Sequence, residues 1–178
     1  EDRCTEAPAR GGECDRARRW ALRTRFDHVD AAAGVSPAAA VQAQGLNLHA
    51  VLDLHALPPE VRASLGVSDL SLYRQLVLLG HAGRDFWNAL QRRGMHGSDP
   101  VDTFTTECVR HWMALQHPGV RWAQVFPGTA PVGLQRLGQL AGWHHAAPVG
   151  LGVNTPWGSW FAYRAVVLTN SDWATTPP

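Results

Sequence analysis

One run of residues, Trp160-Phe161-Ala162-Tyr163-Arg164-Ala165-Val166-Val167-Leu168, constrains the fold more than any other stretch. Aromatic and β-branched side chains suit a pleated, half-buried surface, and the turn residues Asn154, Thr155, Pro156 and Gly158 come just before it. The run therefore reads as a strand that enters the core. Arg164 sits at its middle. A guanidinium there costs several kcal/mol to desolvate unless an anion or a bidentate acceptor meets it. Two arrangements satisfy that demand. A strand-edge position lets the side chain reach water or a carboxylate within the fold, or Arg164 faces a ligand.

The rest of the chain supplies the partners of that strand. Ser36-Pro37 reads as an N-cap followed by proline, opening a short Ala-rich helix that Gly45 ends. Leu46, Leu48, Ala50, Leu52 and Leu54 alternate with Asn47, His49, Val51 and Asp53, the period of a half-buried strand. His49 and Asp53 face the same way and read as solvent-facing. Leu57-Pro58-Pro59-Glu60 breaks the chain, and Tyr73 to Leu79 follows as a second strand, whose Leu76 to Leu79 run predicts burial on both faces. Gly80-His81-Ala82-Gly83 turns into a helix over about 84–93. Its N-terminus offers unpaired N–H groups, though a GxxG turn reads first as a plain connection.

Ser98-Asp99-Pro100 caps a further helix with Val101, Phe104, Cys108, Trp112 and Leu115 on its inner face. Val120 to Phe126 is a third strand, and Pro131 starts a helix with Val132, Leu134, Leu137, Leu140 and Ala141 inward. The segment 141–148 is a loop whose His144 and His145, being adjacent, do not make a metal pair. The fourth and fifth strands come from 150–170. Without regular crossovers the order favours an α+β layer fold.

With 178 residues the chain has the size of one domain, and its net charge of +1 implies neither nucleic acid nor an anionic membrane as a main partner. All 16 basic residues are arginines, which excludes a Schiff-base lysine and a phosphate-loop lysine. No apolar run spans a membrane and no leader pattern opens the sequence, so a soluble intracellular protein is the expectation. Cys4 and Cys14 lie in a polar arm where a bridge is sterically allowed and nothing demands it, and Cys108 reads as a small buried hydrophobe. The absence of CxxC, HExxH, GxSxG and a GxGxxG after a strand leaves the common mechanisms unannounced. What remains is glycine and Trp around the last two strands, with Arg136 and Arg164 nearby, a wall that would suit a large flat ligand with anionic or amide edges.

The segments LNLHAVLDLHALPPE, LVLLGHAGRDFWNALQRRG, SDPVDTF, LQRLGQLAGWHH and GLGVNTPWGSWFAYRAVVL, in that order, resemble the CblC family of cobalamin-processing proteins. They are also similar to the cobalamin-binding portion of epoxyqueuosine reductases. The resemblance runs from about Gln44 to Leu168 and is most specific at Asp99-Pro100-Val101-Asp102, Ala141-Gly142 and the WFAxR ending. It implies a single nitroreductase-like α+β domain, a mixed sheet with flanking helices, over residues 36–170. An Arg-rich arm at 1–35 precedes it and a tail at 171–178 follows. The resemblance assigns Arg164 to the cobalamin and thiol site, and Gln139, Ala141, Gly142 and Gly150 to the lining of the corrin. Trp143 and Trp160 are expected to cover the corrin, and His144 or His145 to approach it or remain on the loop surface.

The implied activity is base-off binding of cobalamin, followed by reductive decyanation, thiol-dependent dealkylation or handover. Glutathione is the implied co-substrate, a reductase or acceptor enzyme the implied partner, a homodimer the implied assembly and the cytoplasm the implied place. No protein ligand to a metal is expected. The departures are Gln139 and Asn154, where the family often has histidines, and Trp143-His144-His145 in place of its tyrosines. The cysteine-rich ferredoxin segment of the reductases is absent. A non-catalytic interaction module and a flavin-binding oxidoreductase on the same fold are the alternatives.

Overall fold

The aromatic run becomes β6, Phe161–Thr169, and its neighbours on both sides explain its composition. A computed structural model of the protein describes residues 39–95, 97–148, 150 and 152–177, all within the compact unit Ser36–Pro178. The Arg-rich arm and the Ser36-Pro37 cap lie outside the described residues. Four strands form the main sheet in the order β1, β2, β6, β3, with β1 at Leu48–Asp53, β2 at Gln75–Ala82 and β3 at Trp122–Phe126. The resemblance implied a mixed sheet, whereas every pairing among these strands is antiparallel. A two-residue pair, β4 (His145–Ala146) and β5 (Gly152–Val153), stands apart, so the segment expected as a plain loop carries a short strand.

Helices cover both faces of the sheet, giving the α+β class expected from the order of elements. On one face lie α1 (Ala39–Gln42), α3 (Asp85–Arg92) and α4 (Pro100–Gln116), whose Val41, Phe86, Ala89, Phe104, Val109 and Trp112 meet Val51, Val77, Leu79, Ala165 and Val167 of the strands. On the other face α2 (Pro59–Ser64) and α5 (Leu134–Leu140) bring Val61, Leu137 and the following Ala141 against Ala50, Leu52, Leu76, Leu78, Val166 and Leu168. β2 is thus buried on both sides, as its unbroken apolar run predicts. Burying one such Leu or Val fully contributes about 1.5–3 kcal/mol over leaving it in water, which accounts for the strand's lack of alternation. β1 departs from the expected half-burial. Its even-numbered residues join one core, and Val51 on the opposite face is buried in the other.

The inner face of α4 matches the periodicity at Phe104, Cys108 and Trp112. Leu115 shares that stripe but is 62% exposed, whereas Met113 in the same last turn is buried in the core. Asp99 caps the helix by accepting from the Asp102 N–H, and Pro100 occupies its first turn. Cys108 is buried, and desolvation pushes its thiol up to about 12, as suits a core side chain. The α5 helix begins at Leu134 rather than at Pro131.

The stretch read as a tail is a strap on the edge of the sheet. Thr176 N–H donates to Val51 O at 2.8 Å, and Val51 N–H donates to Thr176 Oγ1 at 2.9 Å. Since β1 is an edge strand, these bonds occupy groups that would otherwise invite another chain. Gln75, buried at the start of β2, ties the strap down further. Its Oε1 accepts from Ser171 Oγ at 2.8 Å and from Trp173 N at 3.0 Å, and its Nε2 donates to Trp173 O at 2.6 Å. Each polar atom of this buried amide thus has a partner, as desolvation demands.

Candidate functional site

The position of Arg164 is decided by an irregularity in the sheet. In the pairing of β2 with β6, Leu79 faces Ala165 and Gly80 faces Tyr163, so Arg164 is one residue more than β2 can match. Such a β-bulge re-aims a side chain. Arg164 comes to lie above Phe86, on the face that Ala165 also joins. Its Nε–H donates to His81 Nδ1 at 2.9 Å, and its Cζ stands 5.3 Å from the centre of the Phe86 ring. The His81 imidazole stacks on the same ring, with centroids 4.7 Å apart and planes 14° from parallel. The partner that the half-buried guanidinium requires is therefore a neutral imidazole and an aromatic face. The charge of Asp102, from α4, adds electrostatic support.

The electrostatics are consistent with that geometry. Burial, then the charge of Arg164, pushes the His81 pKa down to about 4. Accepting at Nδ1 places the imidazole proton on Nε2. Burial lowers the Arg164 pKa while Asp102 raises it, and burial, with Asp99 beside it, raises that of Asp102. Since the folded value for His81 lies below its ordinary 6.5, the unfolded chain takes up a proton that the native chain refuses between about pH 6.5 and 4. The stability contributed by this group is complete above that window and is lost as pH falls through it. The denaturant midpoint is expected to drop between pH 7 and 4.5, and His81→Asn to flatten part of that slope. An unchanged slope in the variant would show that His81 is not the group responsible.

On the opposite face of the sheet, at the same end of β6, lies a cluster around Tyr163. Trp143, 8% exposed, stacks parallel to Tyr163 with ring centroids 6.4 Å apart. His144, also buried, brings Nδ1 to 3.1 Å from the Tyr163 hydroxyl, and Phe161 meets the same ring edge-on. Burial pushes the Tyr163 phenol up to about 12, so it remains a neutral hydrogen-bonding group. The glycines nearby serve this packing. A Cβ on Gly138 would overlap the Tyr163 hydroxyl, and one on Gly152 would overlap the His144 ring. Gly80 leaves room for the Trp143 ring in the same way. At Gly80, Gly138 and Gly152 the space that glycine opens is filled by the protein's own rings, whereas nothing lies within 4 Å of a Cβ added at Gly150 or Gly158. Across from His144, Asn154 is buried, donates Nδ2 to Trp143 O at 3.2 Å, and leaves Oδ1 without a hydrogen-bond partner.

The remaining expected residues lie toward solvent, apart from Ala141, which is in the core. Gln139 is exposed and accepts from Arg136 Nη1 at 3.1 Å. Gly142 and Gly150 are exposed with φ of 71° and 74°. Trp160 is 74% exposed. Its carbonyl accepts from Gly83 N at 3.2 Å, and Gly83 in turn lies against the exposed ring of Trp157. The α3 helix that follows Gly83 carries a third exposed indole, Trp87. His145 points away from its neighbour and meets Thr155 Oγ1 at 3.2 Å. Among the described residues no group of three or more His, Cys, Asp or Glu is placed to hold a metal.

The structure thus gathers Arg164, Trp143 and His144 at one end of β6 but divides them between its two faces. Sequence reasoning gave no role to His81, Phe86 or Tyr163, and named Asp102 only within the segment where the resemblance is most specific. His81 could have been found by carrying β2 through to Ala82, but its meeting with Arg164 depends on the bulge, which leaves no local signature.

No family model matches the sequence, and no curated protein matches it. Among solved structures the chain is similar to a crystal structure described as a C. elegans B12-trafficking protein CblC, a human MMACHC homologue. The likeness has a TM-score of 0.48 and 12% identity over 74% of this chain and 68% of that one. No helix among the described residues is long and apolar enough to cross a membrane.

Proposed function

We propose that this chain binds cobalamin in the base-off form as its substrate or cargo, and either processes it by reductive decyanation or thiol-dependent dealkylation or hands it on. The observation that carries this reading is the exposure of Trp157 and Trp160 around Gly83, at the Arg164 end of β6. Indoles left wet beside a glycine turn offer a broad apolar platform for a macrocycle. They fall within the stretch whose WFAxR ending resembles the CblC family.

In this reading Trp160 covers the corrin and Gly142, Gly150 and Gln139 line its rim. Trp143, His144 and Ala141 support the wall from the core. Because His144 is buried and turned to Tyr163, its role is to shape the wall rather than to reach cobalt. Cobalt, when bound, supplies the bond-breaking chemistry. The protein's part is to exclude water and hold the incoming thiol, for which Arg164 retains the two Nη groups that hydrogen-bond to no described residue. Glutathione is the proposed co-substrate, and a reductase or acceptor enzyme in the cytoplasm the proposed partner. The same exposed indoles also suit a protein surface, which makes an interaction module the second reading.

Titration with cyano- and methylcobalamin, followed by visible spectroscopy, tests the proposal. The expected result is a shift of the visible bands to the base-off form, and with glutathione under anaerobic conditions, growth of the reduced spectrum. Arg164→Gln is expected to weaken the glutathione dependence about tenfold, the scale of one charge-assisted hydrogen bond. If neither cobalamin shifts, the reading is wrong. If Arg164→Gln leaves the response unchanged, the arginine is not in the site.

A further inference from the structure

Arg164 carries five N–H donors in a fixed fork, and the structure determines which of them a ligand can use. The Nε–H is taken by His81 Nδ1 at 2.9 Å, while Nη1 and Nη2 have no hydrogen-bond partner among the described residues. Both the imidazole and the guanidinium rest on Phe86, which is itself held edge-on by Phe104 with ring centroids 5.3 Å apart. His81, two residues before Gly83, is therefore locked to the arginine through one atom and through a shared aromatic floor.

We infer that His81 is a positioning residue for Arg164: it occupies the Nε side of the guanidinium and leaves the Nη1–Nη2 edge to receive an anionic group end-on. A carboxylate in the place of His81 would hold the same N–H but cancel much of the charge. A neutral acceptor orients the cation and leaves its attraction for an anion intact. The charged groups facing the pair are Arg164 from β6 and Asp102 from α4, with Asp99 acting on Asp102. Burial and Arg164 together keep His81 neutral down to about pH 4, so the acceptor is present throughout the neutral range.

The use of the free edge by a thiol anion rests on the cobalamin reading, whereas the positioning itself does not, and the test separates the two. His81→Asn places an amide oxygen where Nδ1 stands and should keep the bond. His81→Leu keeps an apolar side chain over Phe86 and removes the acceptor. In ¹⁵N–¹H spectra at pH 7 the Arg164 Nε–H signal, assigned by its loss in Arg164→Gln, is expected to be protected from exchange in the wild type and in His81→Asn. It is expected to vanish in His81→Leu. No protected signal in the wild type, or a signal kept in His81→Leu, overturns the inference.

With methylcobalamin bound, the KM for glutathione is expected to rise about tenfold in His81→Leu and to stay within about threefold in His81→Asn. The affinity for methylcobalamin should not move in either. A glutathione KM unchanged in His81→Leu also overturns the inference. Absence of any base-off shift in the wild type overturns the cobalamin reading instead and leaves the decision to the Nε–H signal. Thermal midpoints of both variants establish that each is folded.

Discussion

Phe86→Ala is expected to destabilise the protein by about 3–5 kcal/mol, the range for deleting a large aromatic ring from a packed core. Phe86 is 1% exposed and lies among Leu46, Leu79, Ala89 and Phe104. It also forms the floor for His81 and Arg164, so its loss removes the stacking partner of one and the cation–π partner of the other. The guanidinium would then border a cavity, where no aromatic face offsets its desolvation. Urea denaturation with an unchanged m-value would measure the loss. Phe86→Leu, which keeps most of the volume without the ring, should recover more than half of it. A cost below about 1 kcal/mol for the alanine variant would mean that the core collapses to fill the space, contrary to the packing described.

Gly45→Ala should be nearly as damaging for a different reason. Gly45 has φ of 85°, and a Cβ there would overlap the backbone of Asp85 and Phe86 at the start of α3. The left-handed conformation alone costs about 1–2 kcal/mol for a residue with a Cβ, and overpacking adds about 1–3 kcal/mol. Unlike a side chain, the opposing backbone cannot rotate away, so α3 must shift and carry Phe86 with it. Gly94→Ala is the control. Its φ is 60°, but no atom lies within 4 Å of the added Cβ, so only the conformational cost applies. The difference between the two variants in a thermal or urea melt isolates the clash. If Gly45→Ala loses no more than Gly94→Ala, the close approach of that turn to α3 is not as described.

Both predictions concern residues whose importance is invisible locally. Gly45 reads from sequence only as a helix stop, and Phe86 only as one apolar residue of a short helix. Their roles arise because α1 and α3 are brought together by the strands between them. The tail illustrates the same limit. Ser171 to Thr176 has no strand-like pattern, yet Gln75 and Val51, distant in sequence, give it partners that order it.

Local chemistry was sufficient for β1, β2 and α4. Alternation marked β1, an unbroken apolar run marked the double burial of β2, and an Asp99-Pro100 cap with helical spacing marked α4 and the burial of Cys108. These patterns are legible because each depends on a residue's own neighbours along the chain. By itself the sequence also required that the guanidinium within the β6 run have a partner, since desolvating a charge is costly wherever it occurs. What only the tertiary structure decided was the partner. Antiparallel pairing set the register of β2 against β6, the one unmatched residue fell at Arg164, and the bulge turned it toward His81 and Phe86. Register is a property of two strands at once, so no reading of either strand alone contains it.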